Sequence, residues 1–240
     1  MKLTFLGTRG EIEARTAAHW MHSALLVEYY HRRVMIDCGA DWRGRIEDVD
    51  PHAILLTHAH PDHAWGLKDG APCPVHATDA TWEDIGGYPI DRRAVVTPHR
   101  PTGIEGICFE AFEVEHSTRC PAVGYRVSAG RVTIFYGPDL VYIHAREAAL
   151  AGCHLYIGDG ATLDRSMVRK RGAHLIGHTP VRTQLTWCEQ EGVPEAIVTH
   201  CGTQIVEGDA AAIDARLRDW GRARGVAVSV AVDGMTRVLR

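Results

Sequence analysis

Apolar residues gather in short runs that stop at polar loops, which predicts strands at Leu3 to Leu6, Ala24 to Glu28, Val34 to Asp37 and Ala53 to Thr57. The same pattern predicts strands at Ala94 to Thr97, Ile107 to Glu115, Ala122 to Val127, Val132 to Tyr136 and Ala196 to Thr199. Apolar residues recur instead at helical spacing in Leu140 to Ala151, Val181 to Glu191 and Asp209 to Arg222. The chain ends on Val226 to Val232, Asp233-Gly234 and Met235 to Leu239, which reads as a hairpin because Asp-Gly suits a type I′ turn. Strand-rich halves each followed by helices predict an α/β fold with two sheets sandwiched between helices. No linker, repeat or low-complexity segment interrupts residues 1–240, so a single domain is expected.

Composition narrows this modestly. With 45% apolar and 23% charged residues the chain has the balance of a soluble globular protein. No apolar stretch approaches the ~20 residues that span a bilayer, and Met1 to Gly7 reads as a strand and not a signal peptide, so no membrane partner and a cytoplasmic location are expected. The seven cysteines are odd in number, scattered and never spaced C-x-x-C, which argues against a disulfide framework and a structural zinc knuckle. A formal charge of −4 argues against a large nucleic-acid footprint. Histidine is the anomaly: there are 15, and several fall in short polar clusters.

The densest cluster follows the apolar run Ala53-Ile54-Leu55-Leu56 and reads Thr57-His58-Ala59-His60-Pro61-Asp62-His63. Two imidazoles two residues apart at a strand end can face one ion, and the turn at Pro61 then presents Asp62 and His63 to a second. Imidazole with carboxylate suits zinc, iron or manganese, and the lack of thiolate argues against a purely structural zinc site.

This segment resembles the H-x-H-x-D-H signature of the metallo-β-lactamase superfamily. Later segments match the family's remaining motifs in order: Val114-Glu115-His116-Ser117, Tyr136-Gly137-Pro138-Asp139 and Val198-Thr199-His200-Cys201-Gly202. Ile36-Asp37-Cys38-Gly39 resembles the family's early aspartate, which supports the metals from behind their ligands. The resemblance covers nearly the whole chain and implies a four-layer αββα sandwich. It also implies two divalent metal ions, zinc first and manganese or iron as alternatives. His58, His60 and His116 would hold one, Asp62, His63 and His200 the other, and Asp139 would bridge them. Two ions so placed imply hydrolysis, because they activate water near neutral pH.

The ligand set leaves the bond open. β-Lactamases proper commonly carry a cysteine where Asp139 stands, and flavodiiron reductases carry a glutamate where His60 stands. Thioesterases of the glyoxalase type and lactonases share the aspartate and stay as alternatives. The segment Leu155 to Gly160, then Gly177-His178-Thr179-Pro180, resembles the late half of ribonuclease Z and of phosphoribosyl cyclic phosphodiesterases. Ala231 to Met235 is similar to the terminus of the latter. This points to a phosphodiesterase acting on a small, anionic and in one version cyclic phosphodiester, with Asp62, His178 and Asp159 as catalytic candidates. His178 would protonate the leaving oxygen or contact phosphate, and Asp159 would orient it. His174 competes with His178 but matches the motif less well. The basic run Arg165 to Arg171 reads first as a solvated loop, and as an attractor of anions second. Thr8-Arg9-Gly10 and the loop through His19, Trp20 and His22 resemble the family's first variable loop, for which an ordinary structural role is favoured. Full-length tRNA is discounted as a partner because no long protruding arm is inserted. Related phosphodiesterases make a homodimer an expectation too.

Overall fold

Buried and part-exposed positions alternate along the first strand, Lys2–Gly7, where Leu3, Phe5 and Gly7 face inward. That period of two is what a strand covered on one side requires. The computed structural model describes all 240 residues, Met1–Arg240. Lys2–Gly7 lies in a seven-stranded sheet whose order is Thr236–Val238, Lys2–Gly7, Ala24–Tyr29, Arg32–Ile36, Ala53–Leu55, Val75–Ala77 and Arg93–Val95. The second sheet has eight strands. Its order is Tyr142–Ile143, Ile107–Glu115, Ala122–Ala129, Val132–Gly137, Leu155–Asp159, Glu195–Thr199 and Ala227–Val230, with Thr102–Ile104 also paired to Ile107–Glu115.

The inner faces of the two sheets meet in one core that includes Leu3, Phe5, Ile36 and Leu55 against Phe109, Tyr125, Ile134 and Ile157. Each such side chain contributes roughly 1.5–3 kcal/mol by leaving water. Leu155–Asp159 is buried at every position because it pairs in parallel on both edges and is covered on both faces. The outer face of this sheet is covered by helix Val181–Gln190 over Leu155–Asp159 and Glu195–Thr199 and by helix Ala210–Arg222 over Ala227–Val230, through Val181, Leu185, Cys188, Ile213 and Leu217. Asp209 starts the latter helix by accepting from Ala212 N at 2.9 Å. Short helices cover the outer face of the first sheet through Trp42, Ile46, Ala64 and Leu67. The layers are therefore αββα.

Three expectations change. Leu140 to Ala151 is not one helix: Tyr142–Ile143 is a strand and only Arg146–Leu150 is helical. Pairing with Val114 and Glu115 takes the first part, and backbone bonds from Val141 N to Glu115 O and from His144 N to Glu113 O flank it. The chain end does turn at Asp233-Gly234, with Met235 N bonded to Val232 O, but its arms do not pair. Ala227–Val230 runs parallel to Glu195–Thr199 in one sheet while Thr236–Val238 runs antiparallel to Lys2–Gly7 in the other. Asp233 holds this crossover in place, accepting from Thr8 Oγ1, Trp20 N and Met21 N at 2.7–2.9 Å. Finally, the basic run is not a plain loop, because Arg169–Arg171 pairs with His174–Ile176 as a two-stranded ribbon.

The topology determines where chemistry collects. Val132–Gly137, Leu155–Asp159 and Glu195–Thr199 are parallel neighbours, so Asp139, Asp159 and His200 emerge together at their carboxyl ends. Two bonds tie this sheet to the histidine-rich loop of the other one. Val123 N donates to Thr57 O at 3.1 Å, and the buried Tyr125 hydroxyl donates to Leu56 O at 2.8 Å.

Candidate metal centre

The loop 57–63 leaves the end of Ala53–Leu55 and turns into the one-turn helix Pro61–Ala64, with Pro61 at its first position. Gly39 lets the neighbouring segment pass close beneath, since a Cβ there would fall 2.0 Å from Asp62 O. The helix thereby directs Asp62 and His63 inward, and both are buried.

Hydrogen bonds behind the ligand atoms assign the tautomers. Asp37 is wholly buried and accepts from Thr57 N at 2.8 Å, from Thr57 Oγ1 and from His63 Nδ1 at 2.9 Å. The Thr57 proton is thus committed to Asp37, so its oxygen accepts from His58 Nδ1 at 3.0 Å. His116 Nδ1 donates to Gly177 O at 3.2 Å. The Nε2 atoms of His58 and His116 are therefore left with lone pairs, and both lie 3.0 Å from His60 Nδ1. Burial favours the neutral forms of His58 and His60, pushing His58 well down and His60 down to about 4. Three imidazole nitrogens converging with few protons to share fit a cation.

A second donor set lies beside the first. His200 Nε2 and His63 Nε2 are 3.0 and 3.3 Å from Asp62 Oδ2. His63 Nε2 is buried with no hydrogen-bond partner. Asp139 Oδ2 sits between the sets, 3.6 Å from His58 Nε2 and 3.7 Å from both His63 Nε2 and His200 Nε2. Burial would raise the Asp62 and Asp139 carboxyls, yet the surrounding imidazoles hold both well below the usual range. Burial works to lower His63 and His200, but the carboxylates outweigh it and lift each to about 10. Without a cation these rings keep an extra proton, which a metal ion displaces on binding. Donor atoms of His58, His60, His116 and Asp139 lie close enough for one ion, and those of Asp62, His63, Asp139 and His200 for another. Asp37 and His200 also adopt left-handed backbone, at φ 64° and 51°, a conformation that non-glycine residues keep only where their surroundings impose it.

Of these residues, His60, Asp62, His116, Asp139 and His200 line a cavity of about 820 Å³. His178 faces it, with Nδ1 2.9 Å from Asp159 Oδ2 and 3.0 Å from Asp139 Oδ1. His174 does not: it is 64% exposed and 3.7 Å from Glu115 on the outer surface. Of the first variable loop, Gly10, Glu11 and Ile12 line the cavity, whereas Arg9 is buried and pairs with Asp41 at 2.6 Å. His19 and His22 are also buried, bonded to Thr8 Oγ1 and facing Asp41. Glu11 and Thr162, in loops, and Gln204, in the one-turn helix Thr203–Val206, also line the cavity, and as single polar residues they carry no spacing signal in the sequence.

Residues 32–201 match a family model described as "Beta-lactamase superfamily domain". The chain belongs to that family. Among curated proteins it is 28% identical to ribonuclease Z of Methanopyrus kandleri, an alignment that spans 99% of this chain and 98% of the relative. Among solved structures it resembles "a New Diphosphatase from the PhnP Family" at TM-score 0.74 and 18% identity, covering 100% of this chain and 98% of the other. The metallo-β-lactamase fold protein YhfI of Bacillus subtilis superposes at TM-score 0.72 and 16% identity, with 98% of each chain covered. These likenesses show the metallo-β-lactamase fold. No helix is long and apolar enough to cross a membrane.

Proposed function

We propose that this chain is a metal-dependent hydrolase of phosphodiester bonds, with a dinuclear centre and a small anionic phosphodiester as substrate. One observation carries the reading: the cavity that presents two adjoining imidazole and carboxylate donor sets also presents His178, whose Nδ1 is engaged by Asp159. His58, His60 and His116 would hold one divalent ion, Asp62, His63 and His200 the other, and Asp139 would bridge. Zinc fits this donor set, as do manganese and iron. When bound, the ions supply a hydroxide nucleophile near neutral pH and neutralise charge on the phosphoryl oxygens.

The chain's own residues supply the rest. Burial works to lower His178, but without metal the carboxylates of Asp159 and Asp139 outweigh it and lift it to about 11; with Asp139 engaged by the ions, Asp159 is the carboxylate that favours its protonated form. Its Nδ1–H is held by Asp159, which leaves Nε2–H to donate to the oxygen that departs. Such general-acid help is typically worth ~10²–10⁴ in rate. Asp159 is fixed for this task by Leu140 N at 3.1 Å and Ala161 N at 2.8 Å. The full-length likeness to a ribonuclease Z supports phosphorus over carbonyl chemistry. The cavity volume and the net charge of −4 favour a small substrate over tRNA.

The deciding experiment compares bis(p-nitrophenyl) phosphate, a thioester, a lactone and a precursor tRNA, with zinc and with manganese. Preferential turnover of the diester is expected. Turnover of the thioester or lactone alone would overturn the phosphodiesterase reading, and efficient trimming of the tRNA would overturn the small substrate.

A further inference from the structure

Gln184, the fourth residue of helix Val181–Gln190, is 3% exposed. Its Oε1 accepts from Asp159 N and from the Tyr156 hydroxyl, each at 2.9 Å. Its Nε2 donates to Asp159 O at 2.7 Å and to Thr179 O at 3.1 Å. An amide offers two acceptor sites and two protons, so this one is fully used. The backbone settles its orientation, because Asp159 N can only donate and the two carbonyls can only accept.

These bonds fall on the two segments that carry His178 and Asp159. Pairing of Leu155–Asp159 with Val132–Gly137 ends at Gly158 and Gly137. Past that point the Gln184 amide takes both the N and the O of Asp159, as a further peptide group would. Gly158 makes the room, since a Cβ there would fall 2.3 Å from Gln184 Oε1. The bond to Thr179 reaches the residue after His178, so one side chain spans both members of the pair. The peptide groups of Leu140 reach the same two residues: Leu140 N donates to Asp159 Oδ2 at 3.1 Å, and Leu140 O accepts from Thr179 N at 3.0 Å. Packing alone does not account for the amide. Val181, Leu185 and Cys188 already bury the apolar face of this helix, and a polar group among them is costly unless its bonds are made.

We propose that Gln184 is a positioning residue for the reaction: it fixes Asp159 and the chain at Thr179, so that the His178 ring keeps Nδ1–H on Asp159 and turns Nε2–H to the departing oxygen. As the P–O bond breaks, that oxygen takes the Nε2 proton and leaves as an alcohol. The inference rests on the phosphodiesterase reading and adds to it the group that sets the geometry of the acid. Misplacement of a reacting group by about 1 Å can cost ~10²-fold in rate, so the effect belongs in kcat.

The test compares the zinc-reconstituted full chain with Gln184→Met, which keeps the length and removes all four bonds, and with Gln184→Glu, which keeps the acceptor and loses both donors. Substrates are the p-nitrophenyl and ethyl esters of thymidine 5′-phosphate. Both variants should retain metal and KM, and should lose kcat about 10²-fold on the ethyl ester but far less on the p-nitrophenyl ester, whose leaving group departs without a proton. On a His178→Ala background the same substitutions should cause no further loss, because the acid they position is gone. If Gln184→Met does not fold, Gln184→Glu carries every comparison. Equal slowing of both esters, or a loss that persists without His178, overturns the proposal, and hydrolysis by the parent then leaves the phosphodiesterase reading standing. If the parent cleaves neither ester, that reading falls and NMR follows the ring directly. The proton on His178 Nδ1, identified by its disappearance in His178→Ala, should be shifted or lost in the Gln184 variants. An unchanged resonance overturns the positioning role.

Discussion

His178 Nδ1 lies 2.9 Å from Asp159 Oδ2, and these two residues reach one another across 19 positions of sequence. The carboxylate fixes the ring so that Nε2 is the atom offered to the cavity. A proton placed there matters in proportion to how poor the leaving group is. His178→Ala is therefore expected to slow an alkyl phosphodiester by ~10²–10⁴ while p-nitrophenolate departure is far less affected. Kinetics on the two esters, with metal content measured in parallel, check this. Equal slowing of both would make His178 a phosphate contact, and loss of metal would make it a structural support.

Asp37 touches no candidate metal position, yet it fixes both Thr57 and His63. Asp37→Ala should release the His63 ring and reduce metal affinity by ~10–100-fold, the usual cost of removing such a support. Competition with a chromophoric chelator measures it. If the variant holds metal as the parent does, His63 is oriented by packing alone.

The ligand motif was legible because four donor-type residues fall in the six positions 58–63, and because His116, Asp139 and His200 each follow an apolar run that reads as a strand. Strand ends are local features. What stayed hidden depends on partners far away in sequence. Tyr142 and Ile143 sit in a run with helical spacing, yet they extend because Val114 and Glu115 offer a free edge. Asp233-Gly234 makes the turn its composition suggests, but Thr8, Trp20 and Met21 decide that the turn crosses between sheets. The strands of the 169–176 ribbon are three residues long and almost wholly exposed, so no alternation marked them.

Tyr125 is buried in the inter-sheet core, and its hydroxyl reaches Leu56 O just before the histidine loop. Tyr125→Phe keeps the ring but leaves that carbonyl without its partner, at a cost of about 1–3 kcal/mol. A chain of this size should then melt roughly 2–10 °C lower. Thermal unfolding checks the size of the effect. An unchanged melting temperature would show that Leu56 O finds another donor.

Metal removal tests the donor sets as a whole. The centre concentrates buried imidazoles and carboxylates whose mutual ion pairs only partly satisfy them, and His63 Nε2 has no hydrogen-bond partner at all. A cation that binds the folded chain and not the unfolded one stabilises it by RT ln(1 + [L]/Kd), about 4 kcal/mol at a thousandfold excess over Kd. Chelation should therefore lower the melting temperature by about 10 °C. Zinc should restore it and magnesium should not, because imidazole donors suit the former and oxygen donors the latter. Elemental analysis should find two equivalents per chain in the parent. Asp139→Ala should bind fewer and lose turnover, since its carboxylate is common to both donor sets. Two retained equivalents with full activity in that variant would take the bridging role away from Asp139, and no thermal shift on chelation would remove the metal centre itself.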